Sequence, residues 1–363
     1  MSVAETRDPA GPGAEQEQIA PWQEPARGGY PPLEGFGLAG IEQTQASIDG
    51  YIPPPPLAYL SGIFLTGCGP GESTSVTTVS PWMVSSQGMV SIGPLSILAD
   101  VALGCAVQTT LPPATPYVTS ELSLRVLAPP RAGDSLAAQG RIIHVGPSLG
   151  LSEVVVRDQQ ERTIAHGTSL CAILPALDLQ HPALPDEPYV EPDHGSPHPY
   201  ERPVTMGAPL DEAEWERRSG LEVLQAQLAD ELPAPPVDYL FGMRLIDVSE
   251  GAATYALRAV EPLTTPLRTL QGGVTGTLAD AAISAAIQTT LPAGTRYTTV
   301  DLKVNYLRPA VPDGRELSCS ADVIHRGRTI GLASAKVTNE DGKTVAIATG
   351  SAILAAEAAD APE

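Results

Sequence analysis

A formal net charge of −21 over 363 residues argues against a nucleic-acid binder, because a phosphate backbone needs a basic face. The length allows two or three domains, and no apolar run is long enough to span a bilayer. The first thirteen residues lack the apolar core of a signal peptide, and the four cysteines stand singly without a CxxC pair. We therefore expect a cytoplasmic protein with free thiols and no metal site.

The N-terminal residues 1–54 are rich in Pro, Gly, Glu and Gln and show little hydrophobic periodicity. This composition predicts a disordered or loosely attached arm. Four consecutive prolines, 53–56, form a stiff entry into the first domain.

A repeat with an offset of 180 residues organises the rest of the chain. Residues 98–100 (Leu-Ala-Asp) recur at 278–280, and residues 108–112 (Gln-Thr-Thr-Leu-Pro) recur at 288–292. Because matches at the same offset continue on both sides of these segments, we infer a duplicated domain.

Each copy predicts the same order of elements: short alternating strands, a buried helix, and four more strands. The helices contain Asp100 and Asp280, and the first of them stops before the prolines at 112–113. The later strands are predicted at 119–127, 137–144, 151–157 and 163–174, and at 298–307, 316–325, 329–338 and 345–354. A helix that is apolar on nearly all sides must be buried, and we expect a curved sheet to pack around it.

The predicted division of the chain follows from the repeat and from composition. Two domains at 55–175 and 234–355 are joined by a Pro-rich linker at 176–233, which contains a helix near 211–232. Residues 356–363 are predicted to be a flexible tail.

One carboxylate stands inside each apolar helix, at Asp100 and Asp280. An unpartnered ionised carboxylate is costly to bury, so each needs a partner, access to water or a chemical task. Retention in both copies favours a functional role. A structural bond to a backbone group or to the other helix is the alternative.

A family resemblance rests on Gln271-Gly272-Gly273, on the acid nine residues after Gln271, and on the strand at 297–310. These segments resemble the PaaI-type acyl-CoA thioesterases of the hotdog fold. The resemblance implies an α+β protein of two tandem hotdog domains, each a curved antiparallel sheet wrapped around a central helix. It also implies that the two copies form an internal pseudo-dimer with two pseudo-equivalent sites at the seam.

The resemblance also assigns candidate catalytic residues. The motif histidine of the family is replaced by Gln271 and, in the first copy, by Ser91. The implied catalytic residues are Asp100, Asp280, Gly272, Gln271, Thr119 and Thr299. The implied substrate-binding residues are Gly273, Ser91, Ile92, Gly93, Arg326 and Arg328.

In such proteins each site is shared between the two copies. Gly272 would work with Asp100 and Thr119, whereas Ile92 would face Asp280 and Thr299. The Gly272–Asp100 site ranks first because its glycines are nearer the family pattern.

The implied function is hydrolysis of an acyl-CoA thioester, with Asp as general base or nucleophile and a helix N-terminal Gly N–H as oxyanion donor. No cofactor is expected. The expected partners are acyl-CoA and further copies of the pseudo-dimer, with no nucleic acid and no membrane. The alternative is a non-catalytic protein that binds acyl-CoA or a small ligand and has lost the motif histidine. A hotdog hydratase ranks third, because its acid–histidine pair has no counterpart in this sequence.

Overall fold

A computed structural model describes residues 19–179 and 183–356. Residues 1–18 of the predicted arm, 180–182 of the predicted linker and 357–363 of the predicted tail lie outside the described part. The strands are β1 (Phe64–Gly69), β2 (Glu72–Thr78), β3 (Tyr117–Val126), β4 (Ser135–Val145), β5 (Leu149–Asp158), β6 (Thr163–Ile173), β7 (Met243–Ser249), β8 (Ala252–Arg258), β9 (Thr295–Tyr306), β10 (Glu316–Arg326), β11 (Ile330–Asn339) and β12 (Thr344–Ala356). The helices are α1 (Gly40–Ile48), α2 (Pro56–Ser61), α3 (Ile92–Gln108), α4 (Glu212–Arg217), α5 (Gly220–Leu228), α6 (Pro236–Phe241) and α7 (Gly272–Thr289).

The strands form one antiparallel sheet in the order β1-β2-β4-β5-β6-β3-β9-β12-β11-β10-β8-β7. The two halves of this order mirror each other, and β3 pairs with β9 at the seam, where Leu124 lies opposite Leu302. The predicted fold class, two tandem antiparallel domains that each enclose a helix, is confirmed. The eight strands predicted after the helices are all present, with ends within three residues of the prediction.

The two central helices, α3 and α7, are buried along nearly their whole length. Each packs against the strands of its own copy, and the two helices also pack against each other. Small residues permit the close approach, as at Ser96, whose hydroxyl donates a hydrogen bond to the carbonyl of Gly273 at 3.0 Å. The N-terminus of each helix thereby lies beside the middle of the other.

The prediction that residues 1–54 form a loose arm is wrong for its described part. The helix α1 lies at the same offset of 180 from α5, and the amides of Gly40 and Gly220 donate to the carbonyls of Leu111 and Leu291 at 3.0 and 2.9 Å. The repeated structure therefore starts before the prolines. Composition did not reveal α1 because the helix is short and Ala39, which precedes it, offers no side-chain cap.

The single helix predicted near 211–232 is two helices, α4 and α5. Ser219 separates them, and its hydroxyl accepts a hydrogen bond from the amide of Glu222 at 3.3 Å. The carboxylate of Glu222 accepts in return from the amide of Ser219 at 2.7 Å. This capping box starts a new helix at Gly220. The spacing of the apolar residues alone had predicted one continuous helix.

Gly273→Ala is expected to lower the free energy of unfolding by about 2 kcal/mol through overpacking. An added Cβ would lie 2.4 Å from the Cα of Ile97, a backbone atom of α3 that cannot move independently. Gly276→Ala in the same helix is the control, because its Cβ would meet the Oγ of Ser96 at 2.8 Å, a side chain that can rotate. Denaturant unfolding of both variants measures the difference. Equal unfolding midpoints for Gly273→Ala and Gly276→Ala would contradict a close contact between α7 and the backbone of α3 at Gly273.

In the part of the chain that the structure describes, each helix is either too short or too polar to span a membrane.

Candidate active site

Asp100 lies in the middle of α3 and is 7% exposed. Its Oδ1 accepts a hydrogen bond from the hydroxyl of Thr119 at 3.0 Å, and its Oδ2 accepts from Nε2 of Gln271 at 2.7 Å. A Cβ on Gly272 would lie 2.8 Å from the same Oδ2, so the backbone of α7 starts against this carboxyl group. The four residues that sequence analysis grouped here, Asp100, Thr119, Gln271 and Gly272, do come together.

Burial raises the pKa of Asp100 to about 6, and the Thr119 hydroxyl and the amides of Gly273 and Gly272 oppose the rise. Gln271 donates to Asp100, yet its Oε1 is buried and has no hydrogen-bond partner in the described part of the chain. If the Gln271 amide turns by 180°, a protonated Asp100 can donate to that oxygen instead. This site is therefore suited to a neutral carboxyl group.

Asp280 occupies the equivalent position in α7 and is 3% exposed. Its Oδ2 accepts from the backbone amide of Gly93 at 3.0 Å, and its Oδ1 accepts from the hydroxyl of Ser284 at 3.2 Å. Burial raises the pKa of Asp280, and hydrogen bonds from Ser91, Gly93, Ser284 and Thr299 oppose the rise. Asp280 is thus held at the N-terminus of α3, where the helix dipole favours negative charge.

A cavity of about 80 Å³ lies on the Asp280 side of the seam. The first copy contributes residues 85–87 and 89–91 to its wall, and the second contributes Asp280 and Thr299. Asp100 and Thr119 do not line this cavity. The cavity is therefore built jointly by the two copies around the acid that sequence analysis ranked second.

The remaining predicted residues fall into two groups. Ser91 lines the cavity, Gly93 is bonded to Asp280, and the side chain of Ile92 is buried in the core. Arg326 and Arg328 are exposed on the β10–β11 turn and are not among the cavity-lining residues. Strand pairing places this turn two strands across the sheet from Thr298, about 10 Å away.

Sequence analysis missed several polar residues of the cavity wall. Gln87 donates from Nε2 to the carbonyl of Tyr297 at 2.9 Å, and the hydroxyl of Tyr297 donates to Gln288 at 3.0 Å. Asp238 and Tyr255 also line the cavity. The recurrence of Tyr117 as Tyr297 and of Gln108 as Gln288 could have indicated two of them, whereas Gln87, Asp238 and Tyr255 are not repeated between the copies.

The comparison with known proteins follows the duplication. The model of the Thioesterase superfamily matches residues 87–165 and 268–346, once in each copy. The human acyl-coenzyme A thioesterase 13 is 30% identical over 103 residues, which are 28% of this chain and 72% of the human protein. The chain belongs to the thioesterase superfamily.

Further members of the superfamily are similar over comparable segments. The mouse acyl-coenzyme A thioesterase 13 is 34% identical over 91 residues, which span 25% of this chain and 64% of the mouse protein. The Escherichia coli acyl-coenzyme A thioesterase PaaI is 29% identical over 104 residues, 29% of this chain and 72% of that protein. The PaaI-type resemblance seen in the sequence is thereby confirmed.

Two solved structures share the fold over most of this chain. The tesB protein of Mycobacterium avium subsp. paratuberculosis has a TM-score of 0.52 at 14% identity and covers 82% of this chain and 98% of its own. The acyl-CoA thioesterase II TesB2 of Mycobacterium marinum has a TM-score of 0.51 at 12% identity, over 84% and 99% of the two chains. At these identities the likeness concerns the fold alone.

Proposed function

We propose that this superfamily member hydrolyses an acyl-CoA thioester to a free acid and CoA, at a site centred on Asp280. The observation that carries the proposal is the position of Asp280, a buried carboxyl group that lines a cavity at the seam and lies beside the N-terminus of α3. Water held there would lose a proton to Asp280 while its oxygen attacks the thioester carbon.

The developing oxyanion needs a hydrogen-bond donor, and α3 provides one. Its first residue is Ile92, and the first backbone N–H groups of a helix have no partner within the helix. In this proposal the N–H of Ile92 and the positive end of the α3 dipole stabilise the oxyanion. Collapse of the tetrahedral intermediate breaks the C–S bond, and the proton taken from water passes to the departing thiolate.

The surrounding hydroxyl groups have a supporting task. Ser284 and Thr299 hold the carboxylate of Asp280 in one orientation. A raised pKa makes a carboxylate a better base near neutral pH, because basicity rises with pKa. The exposed Arg326 and Arg328 are proposed to meet the phosphates of CoA outside the cavity.

The second site, at Asp100, is proposed to be idle or much slower. Asp100 and Thr119 do not line the cavity, so a thioester bound there would not reach this carboxyl group. Gly272 and Gly273 there are proposed to serve the contact with α3 rather than a substrate.

Release of CoA thiol from short-chain, long-chain and aromatic acyl-CoAs tests the proposal. The wild type is expected to release thiol from at least one of them, and the double variant Asp100→Asn/Asp280→Asn is expected to stay at the background rate. Binding of the same thioesters is measured by calorimetry. Binding without turnover would sink the hydrolase proposal and favour the non-catalytic binding protein, as expected if the missing motif histidine were indispensable.

A further inference from the structure

A second acid in the cavity wall has no part in the proposed hydrolysis. Asp238 lies on α6, is 4% exposed and lines the cavity. In the described residues its carboxyl group makes no hydrogen bond or ion pair, and burial raises its pKa well above the usual range of an aspartate. The oxygens of Asp238 are not among the fully enclosed side-chain atoms that lack a partner in the described residues, so they face the open space of the cavity, where a ligand can reach them.

Tyr255 on β8 accompanies Asp238. It is 6% exposed, lines the cavity, and its hydroxyl makes no hydrogen bond with the described residues. Burial raises the pKa of Tyr255, and the nearby charges of Asp238 and then Tyr297 add to the rise. Burial and the charge of Asp280 raise the pKa of Tyr297. In the sheet, β12, β11 and β10 separate β8, which carries Tyr255, from β9, which carries Thr299, so Tyr255 lies on a different part of the wall from the Thr299 side, where Asp280 is held.

The first copy shows that the fold does not need these two groups. At the offset of 180 residues, Ala58 stands where the second copy has Asp238, and Ser75 stands where it has Tyr255. Ala58 lies on α2 as Asp238 lies on α6, and both helices end at a glycine with positive φ. The same local structure thus forms with an alanine, and the unpartnered polar pair belongs to the copy whose acid faces the cavity.

We propose that Asp238 and Tyr255 recognise a hydroxyl group on the acyl chain, remote from the thioester, so that the substrate is a short hydroxyacyl-CoA. This inference rests on the proposed function for the identity of the ligand. A neutral carboxyl group both donates and accepts a hydrogen bond, and so does an alcohol. A second carboxylate on the acyl chain would be repelled by Asp280. A cavity of about 80 Å³ is much smaller than the roughly 300–1,000 Å³ of typical ligand pockets, so it limits the length of the acyl chain.

Binding of two non-hydrolysable thioethers tests the inference independently of turnover. The probes are S-butyl-CoA and S-(hydroxybutyl)-CoA with the hydroxyl on the last carbon. The wild type is expected to bind the hydroxylated probe about tenfold more tightly than S-butyl-CoA. A probe without the hydroxyl group leaves the polar groups of Asp238 and Tyr255 unpaired. Asp238→Ala, which installs the residue found at position 58, is expected to abolish this preference. Asp238→Asn and Tyr255→Phe are expected to keep part of it.

The control is Asp322→Ala, which removes an exposed acid of the same copy outside the cavity wall. Equal affinity of the wild type for both probes would overturn the inference, as would an unchanged preference in Asp238→Ala. Melting temperatures show whether each variant folds. If Asp238→Ala does not fold, the inference is tested by Tyr255→Phe, whose preference for the hydroxylated probe must then be weaker than that of the wild type. Because the probes cannot react, failure of the thioesterase proposal would appear separately, as absence of thiol release from every acyl-CoA.

Discussion

Asp280→Asn is expected to lower kcat for thioester hydrolysis by about a thousandfold, whereas Asp100→Asn keeps kcat within about threefold of the wild type. The single carbonyl oxygen of an asparagine can still accept the hydrogen bond from Gly93, and the hydroxyl of Ser284 can turn to accept from the NH₂ group, but the amide cannot take a proton from water. The difference between the variants follows from the cavity, which Asp280 lines and Asp100 does not.

The two substitutions are matched controls for each other, since they are chemically identical and lie at equivalent positions of α3 and α7. Initial rates of thiol release at saturating acyl-CoA give the comparison. A large loss of kcat in Asp100→Asn alone would mean that the Gly272–Asp100 site is the active one, as the glycine motif predicted. A loss of about half in each variant would mean two independent active sites, and it would contradict an idle Asp100 site.

Asp100→Asn is also expected to stabilise the protein at pH 8 by about 3 kcal/mol. The folded-state pKa of about 6 exceeds the ordinary value of 3.8, so the folded state binds the proton more tightly than the unfolded chain. Stability attributable to this group is therefore present at low pH and falls as pH rises from about 4 to about 6. Two pKa units correspond to about 3 kcal/mol.

Asparagine fits this position because it resembles the neutral acid. Its side-chain oxygen can accept from Thr119, and its NH₂ group can donate to the orphaned Oε1 of Gln271 once that amide is turned.

Guanidinium unfolding of wild type and variant at pH 5 and pH 8 measures the effect. The stability gap is expected to widen by about 1 kcal/mol between these two values of pH, because part of the penalty is already present at pH 5. Asp322→Asn, at an exposed carboxylate, should show no such widening. An Asp100→Asn variant less stable than the wild type at pH 8 would mean that Gln271 and Thr119 stabilise the ionised form.

The architecture could be predicted because two of its features are visible in the linear sequence. These are the duplication and the single acid inside each apolar helix. The two copies preserve Leu-Ala-Asp and the strands that follow, so the helix and the sheet could be placed within a few residues. The short helix α1 escaped because six- to nine-residue helices depend on tertiary contacts, such as the amide of Gly40 on Leu111.

The position of the cavity could not be predicted from the motif. Gly272 and Gly273 match the family pattern, but space at the seam depends on how side chains from distant segments fill it. Gln271 reaches Asp100, whereas Ser91 is shorter and leaves room beside Asp280. The residues that distinguish the two sides, such as Asp238 against Ala58, lie outside the motif and are meaningful only once the chain is folded.

The β3–β9 seam joins two halves of one chain, and this has a consequence for how the protein can change. In a symmetric dimer of identical subunits, every substitution appears at both sites at once. Here Asp238 is present once and Ala58 occupies the related place, so one half can acquire a costly polar group while the other keeps an apolar one. The halves also cannot separate on dilution, because the partner's concentration is set by the connecting chain. A duplication within one chain therefore lets the two halves contribute different residues to a cavity that both of them build.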